Sequence, residues 1–372
     1  MGICEAASNN QKDYSSITSL GDSSTALSSK KISTKFSKKD AIKENKGFIL
    51  PENIAKRDNI NKYYKITKNI LGEGTSGIVC IGERDGKQYA IKKIRKFKIK
   101  SIKPFILEAR ISLQLEHENI IKYFEIYEDS QYISYVMDLG EGGDLFDFIL
   151  GCPLGHLPAD IVIDILIQIC DVVDYLHSEK GVVHRDLKPE NFMIKINNFN
   201  KPQVKLIDFG LATYIPKSGE KLKEYLGTLK YAAPEICQES GYFEKVDEWA
   251  VGIIMYNMLT GYEPFKGNTA IEIKKAILYA KIKFDKIEDN DLREINEKLL
   301  NREVDKRISC KEAFRELKKI KVERENYYKG FKRLNKKTPS VILKKENEEL
   351  PEYSIYWEQM TTNAKNKFPN LN

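Results

Sequence analysis

The sequence predicts an α+β fold in two lobes, a small one built on an antiparallel sheet and a larger, mainly helical one. Three observations lead there. From Tyr64 the chain turns strand-like, and Ile70-Leu71 runs into Gly72-Glu73-Gly74-Thr75-Ser76-Gly77 before the β-rich Ile78-Val79-Cys80-Ile81. Asp85-Gly86 marks the next turn, so the run reads as glycine-linked hairpins. A dinucleotide-binding fold would instead need a helix after the last glycine and an acid some twenty residues on. Farther along, helices fill 158–180, including the apolar run from Ile161 to Cys170. Between these helices and the next come His184-Arg185-Asp186-Leu187-Lys188-Pro189-Glu190-Asn191 and Asp208-Phe209-Gly210, which gather two acids and an amide in a small region.

Each element follows from its local pattern. Tyr89-Ala90-Ile91-Lys92 is a strand, and alternation puts Lys92 and Lys93 on opposite faces. Residues 104–116 read as a helix carrying Glu108, and Tyr132 to Met137 as a strand. Val182-Val183 and Phe192-Met193-Ile194 pin the His184 loop at both ends, and Lys205-Leu206-Ile207 delivers Asp208 to the same place.

Composition bounds the function. A chain of 372 residues with 31% charged and 41% hydrophobic residues suits a soluble globular protein with polar extensions. The net charge of +7 is spread with Lys and Glu interleaved, which argues for a solvated surface and against nucleic acid as a partner. Cys4, Cys80, Cys152, Cys170, Cys237 and Cys310 have no metal-ligand spacing and read as reduced thiols of a cytoplasmic protein. The run from Ile161 to Cys170 contains Asp164 and is too short to span a bilayer.

The loop residues carry the chemistry. Asp208 and Asn191 offer hard oxygens, which suit Mg²⁺ beside phosphates. Asp186 can orient a hydroxyl nucleophile and accept its proton, and Lys188 can neutralise charge on a transferring phosphoryl group. Phosphoryl transfer depends on such positioning and charge stabilisation.

The octet from His184 to Asn191 and the triplet Asp208-Phe209-Gly210 resemble the catalytic and metal-binding signatures of eukaryotic protein kinases. The resemblance covers about Tyr64 to Ile320. It implies the bilobal kinase fold, with a small lobe over 64–137, a hinge over 138–143 and a large lobe over 144–320. Protein substrates, ATP and Mg²⁺ follow from it. Its implied catalytic residues are Asp186, Lys188, Lys92 and Glu108, the last two as an ion pair. For ATP it implies Leu71, Gly72, Gly74, Gly77, Val79, Ala90, Lys92, Asp138, Gly140, Asp144 and Met193, with Met137 as gatekeeper. Asn191 and Asp208 would hold the metal. Asp247 would brace the catalytic loop, and Arg307 would pair with Glu235 of Ala233-Pro234-Glu235. Lys188 and Thr228 point to Ser and Thr hydroxyls. Gly142-Gly143-Asp144-Leu145-Phe146 and Leu226-Gly227-Thr228 are similar to the kinase domain of calcium-dependent protein kinases, in the calcium/calmodulin-dependent group. Asp144 and Glu190 would read a basic residue upstream of the phosphoacceptor, with Asn257 where some relatives have a further acid. Glu224 would pair with Arg185 where others carry a phosphate.

The chain departs from the pattern in two places. Ser112 stands where the family has an apolar residue of its internal spine, so the helix is less firmly held or Leu113 compensates. There is no D-x-[DN]-x-[DN]-G loop, so no EF-hand is recognisable. The rival reading is a pseudokinase or membrane-associated scaffold, which loss of Lys92, Asp186 or Asp208 would mark; all three are present.

The flanks read differently. Residues 1–50 are polar and expected to be disordered. Gly2 and Cys4 are candidate acylation sites for peripheral membrane association, although Ala6 departs from the strict pattern. Residues 51–63 read as a linker or a short packed helix, and 321–372 as a basic C-terminal extension. Within 314–337, Lys and Arg alternate with Phe314, Leu317, Ile320, Val322, Tyr327, Phe331 and Leu334. This reads as the last domain helix with a solvated continuation, interrupted near Gly330, or as a face for calmodulin or another regulator.

Overall fold

The structure, a computed structural model, describes residues 49–74, 77–99, 101–140, 142–196 and 201–335. Gly2, Cys4 and the chain beyond 335 lie outside the described residues. The small lobe is a five-stranded sheet: β1 (Lys65–Gly74), β2 (Gly77–Arg84), β3 (Lys87–Arg95), β4 (Tyr123–Glu128) and β5 (Tyr132–Asp138). Its order is β1-β2-β3-β5-β4, with antiparallel neighbours throughout. Asp85 and Gly86 both have positive φ, 53° and 73°, as the tight turn between β2 and β3 requires. Helix α1 (Lys103–Gln114) lies between β3 and β4 in sequence, and Pro104 occupies its first turn, where a missing N–H costs nothing.

The register decides what faces the cleft. Val79 lies opposite Lys92, which lies opposite Tyr135, while Ala90 lies opposite Met137. Directly paired residues share a face, so Val79, Ala90, Lys92 and Met137 look the same way.

The large lobe follows through β6 (Gly143–Asp144) and α2 (Leu145–Leu150), capped by Asp144, whose carboxylate accepts from Asp147 N at 2.7 Å. Helix α3 (Ala159–Asp174) buries nine apolar residues, and its last turn widens into a π-helix over Tyr175–Glu179. Short strands β7 (Val182–Val183), β8 (Phe192–Ile196), β9 (Pro202–Leu206) and β10 (Thr213–Tyr214) frame the central loops. Beyond them lie α4 (Pro234–Cys237), α5 (Lys245–Thr260), α6 (Ala270–Tyr279), α7 (Asn290–Leu299) and α8 (Cys310–Asn335). Helix α5 is buried almost all round, so its Asp247 and Glu248 must find partners inside the protein. The lobes meet where Ile120 bridges Leu206, with Asn119 Nδ2 donating to Val204 O at 2.9 Å.

Of the two readings of 51–63, the linker is corrected and the packed segment is the one present: Ile54, Ala55 and Ile60 are buried, as is Leu50 just before them, and a short helix spans Ile60–Lys62. Lys56 makes a parallel bridge to Tyr127, with Lys56 N donating to Ile126 O and Glu128 N to Lys56 O. The segment covers β4, the edge strand, whose outer backbone groups would otherwise lack partners. The border at 320/321 falls inside α8, which runs on through Gly330. A glycine costs a helix interior only about 1 kcal/mol, and ion pairs from Lys321 and Arg324 to the large lobe hold this stretch in place.

Candidate active site

The site assembles from β3, α1 and two loops. Lys92 Nζ donates to Glu108 Oε1 at 2.8 Å and to Asp208 Oδ1 at 3.1 Å. Burial works against charge on Lys92, and the carboxylates of Glu108 and Asp208 outweigh it, so its pKa is raised. Burial also opposes charge on Asp208, but Lys92 and the Gly210 N–H at 3.2 Å hold its pKa below the ordinary value. This arrangement fixes a lysine cation and a carboxylate anion together at the floor of the cleft.

Asp186 lies at the centre of a second group. Its Oδ1 accepts from Thr228 N at 3.0 Å and Thr228 Oγ1 at 2.9 Å, and its Oδ2 is 2.9 Å from Lys188 Nζ. Lys188 Nζ also donates to Thr228 Oγ1 at 3.1 Å. Asn191 Nδ2 donates to Asp186 O at 2.7 Å, which leaves Oδ1 as its atom for a cation. Gly227 lets the segment approach this closely: its φ is +97°, and a Cβ there would stand 2.4 Å from Arg185 O.

Asp247 braces the loop from α5. Its Oδ2 accepts from His184 N at 2.7 Å and its Oδ1 from Arg185 N at 2.9 Å. His177, which the motif reading missed, completes the brace: its Nε2 is 2.8 Å from Asp247 Oδ2 and its Nδ1 3.4 Å from Glu248 Oε1. Burial disfavours its charge, but Glu248 and Asp247 prevail and raise its pKa to about 10. Arg307 pairs bidentately with Glu235 at 2.7 and 3.0 Å, as expected.

Arg185 ties the catalytic loop to the segment that runs from Asp208 to Glu235, the activation segment. Arg185 Nη1 donates to Glu224 Oε2 at 2.7 Å and its Nε to Leu211 O at 2.7 Å. Tyr242, also absent from the sequence reading, supports this pair. It exchanges both backbone hydrogen bonds with Leu222, and its hydroxyl donates to Glu224 O at 2.7 Å.

The residues expected to hold the nucleotide lie on β1, β2, β3, the end of β5 and the paired β6 and β8. Ala90 and Met137 are buried, and Leu71, Val79 and Met193 are half-buried. Asp138 N donates to Lys122 O at 2.9 Å, so its backbone N–H is already engaged. Gly72 and Gly74 end β1 and Gly77 opens β2, with Gly74 opposite Gly77. A Cβ on Gly77 would stand 2.5 Å from Lys93 O, so the tip is closed tightly on β3. Gly140 lies between β5 and β6, and Asp144 pairs with Met193. Glu190 is crowded by protein on one side, and the Asp144 and Asp186 carboxylates add to that in raising its pKa. Among the described residues no three His, Cys, Asp or Glu side chains form a metal cluster. Asp208 and Asn191 Oδ1 are the oxygens that could hold Mg²⁺, which binds through one or two carboxylates plus substrate phosphates.

Comparison with known proteins agrees with this geometry. Residues 64–317 match the protein kinase domain family. The chain is 38% identical over 230 residues to calcium-dependent protein kinase 5 of Plasmodium falciparum (isolate 3D7), covering 61% of this chain and 39% of that protein. It is 35% identical over 278 residues to calcium-dependent protein kinase 3 of Plasmodium berghei (strain Anka), covering 73% and 48%. Calcium-dependent protein kinase 14 of Arabidopsis thaliana is 36% identical over 265 residues, 68% and 48%. The matches thus span at most about half of these relatives.

Proposed function

Because the chain belongs to the protein kinase family, we propose that it transfers the γ-phosphoryl group of ATP to Ser and Thr hydroxyls of protein substrates, with Mg²⁺. The observation that carries this reading is the joint presence of two sets of contacts. Lys92 holds Glu108 and Asp208 together, and Asp186 is shared by Lys188 and Thr228. Bound Mg²⁺, held by Asp208 and Asn191, would screen the phosphate charge. Lys92 would anchor phosphate oxygens, and Asp186 would receive the hydroxyl hydrogen bond that Thr228 supplies in this structure. Lys188 would lie beside the phosphoryl group in flight. A pseudokinase would lack at least one of these groups.

The same reading includes substrate selection. Asp144 and Glu190 form an acidic rim near Asp186, suited to an arginine upstream of the acceptor, since guanidinium pairs bidentately with carboxylates. Asn257 lies against Tyr231, Tyr262 and Ile253, bringing no charge of its own, so selection for a second basic residue is weaker.

The test is phosphorylation of an oriented peptide library by the full chain, with Asp186→Asn and Asp208→Asn as controls. The expected result is incorporation on Ser and Thr peptides with Arg or Lys three residues before the acceptor. Asp186→Asn should lose at least about a hundredfold, the usual scale of a general acid–base group, and Asp208→Asn should lose its Mg²⁺-dependent turnover, while both melt like the wild type. Turnover retained by Asp208→Asn would sink the proposal, and an acidic or proline-directed optimum would sink its substrate half.

A further inference from the structure

Ser112 interrupts the apolar inner face of α1. It is 1% exposed, and its Oγ makes no well-formed hydrogen bond among the described residues. A buried hydroxyl without a good partner is costly. Its small size therefore calls for another explanation than polarity.

The neighbour is Tyr123, the buried first residue of β4, whose phenol lies close enough to the Ser112 hydroxyl to feel it. The Tyr123 ring meets Phe209 edge-on at 6.4 Å and Tyr135 at 6.3 Å. Its hydroxyl donates to Ile207 O at 2.9 Å. On the other side of Phe209, the His184 ring stands 5.4 Å away, and His184 Nε2 lies 2.6 Å from Asp208 O. Two successive peptide carbonyls, of Ile207 and Asp208, are therefore each held by a ring, and both rings rest on Phe209. Leu113, the other candidate for compensation, is only half-buried.

We propose that Tyr123 is a positioning residue for Asp208, and that Ser112 is small because the Tyr123 ring takes the volume a larger apolar side chain would fill. The hydroxyl fixes the Ile207 peptide from the small lobe, so the direction of the Asp208 carboxylate is set from β4 as well as from the catalytic loop. This rests on reading Asp208 as the metal ligand of a phosphoryl-transfer site.

The test uses the full chain and two readouts: binding of a fluorescent ATP analogue as Mg²⁺ is titrated, and the melting temperature without nucleotide. Tyr123→Phe keeps the ring and removes the hydroxyl. The Mg²⁺ concentration at half-maximal binding should rise about three- to tenfold, the scale of one hydrogen bond, and kcat should fall with peptide KM unchanged. A wild-type midpoint in Tyr123→Phe overturns the positioning role. Ser112→Leu should lower the melting temperature by overpacking, and Ser112→Leu with Tyr123→Leu should recover part of that loss. Additive losses overturn the volume argument. Should Ser112→Leu not fold, Ser112→Ala decides that half: it should melt no lower than wild type, and a clear drop refutes it. A wild-type chain that binds no nucleotide with Mg²⁺ refutes the phosphoryl-transfer reading instead, and the melting comparison still reads the packing.

Discussion

His177 shows how a single buried residue can bind a helix to a loop. It lies in the protein interior between Asp247 and Glu248, and Asp247 in turn holds the backbone of His184 and Arg185. Its pKa is raised from 6.5 to about 10. Protonated His177 therefore adds stability fully below about pH 6.5, and that contribution is lost as pH rises toward 10. The expectation is that wild type loses melting temperature between pH 7 and 10 faster than His177→Gln, which carries no titrating ring. Thermal melts of both across that range check it, and parallel curves would show that the ring is not held charged. The candidate catalytic residues were legible in the sequence because phosphoryl transfer demands particular groups at fixed spacing: Lys92, Glu108 and Asp208 come together, and so do Asp186 and Asn191. His177 and Tyr123 were not, because a buried partner is chosen by the three-dimensional neighbourhood and carries no pattern along the chain.

At the scale of elements, the activation segment is pinned through Arg185, Glu224 and Tyr242. Arg185 is buried, whereas the Glu224 side chain is 67% exposed. An exposed carboxylate contributes little to global stability, but here it neutralises a guanidinium that would otherwise be buried unpaired, which is costly. The pair therefore bears on the order of the segment more than on the fold. Protein made in bacteria and treated with phosphatase should be active. In it, Glu224→Ala should lower turnover by about three- to thirtyfold, as for loss of a charge-assisted hydrogen bond, and Glu224→Asp should lower it less. A chain inactive until phosphorylated on Ser218 or Tyr225 would refute the idea. Regular elements were easily foreseen, since hairpins and amphipathic helices announce themselves by turn residues and period. The packed segment before β1 was foreseen only as one of two alternatives. Leu50, Ile54 and Ile60 have neither strand nor helix spacing, and only the unpaired edge of β4 explains their burial.

At the scale of the whole molecule, α8 runs from the large-lobe core into the C-terminal part of the chain. Its first turns are structural: Ala313 and Leu317 are fully buried, and Phe314 and Ile320 pack on the same core. Two of its basic residues are matched to acids of the large lobe. Lys321 meets Asp164 at 2.5 Å, and Arg324 meets Asp160 at 3.2 Å, Asp289 at 2.6 Å and Asp291 at 3.5 Å. Three carboxylates from two separate elements around one guanidinium form a network, which is worth more than isolated surface pairs. Leu317, Phe314 and Ile320 of the apolar stripe and the charges of Lys321 and Arg324, which a helix-in-groove partner such as calmodulin would read, are thus already engaged, while Val322 stays exposed. A regulator of this stretch would have to displace the large lobe from the helix or act beyond residue 325. The expected outcome is that calcium-loaded calmodulin binds a peptide spanning 314–337 at least about tenfold more tightly than it binds the full chain, since freeing the helix costs at least the 1.4 kcal/mol that a factor of ten represents. Asp160→Asn with Asp289→Asn should narrow that gap by loosening Arg324. Calorimetric titration of peptide, wild type and double variant measures all three, and equal affinity for peptide and wild-type chain would mean that the clamp around Arg324 does not hold α8 in solution.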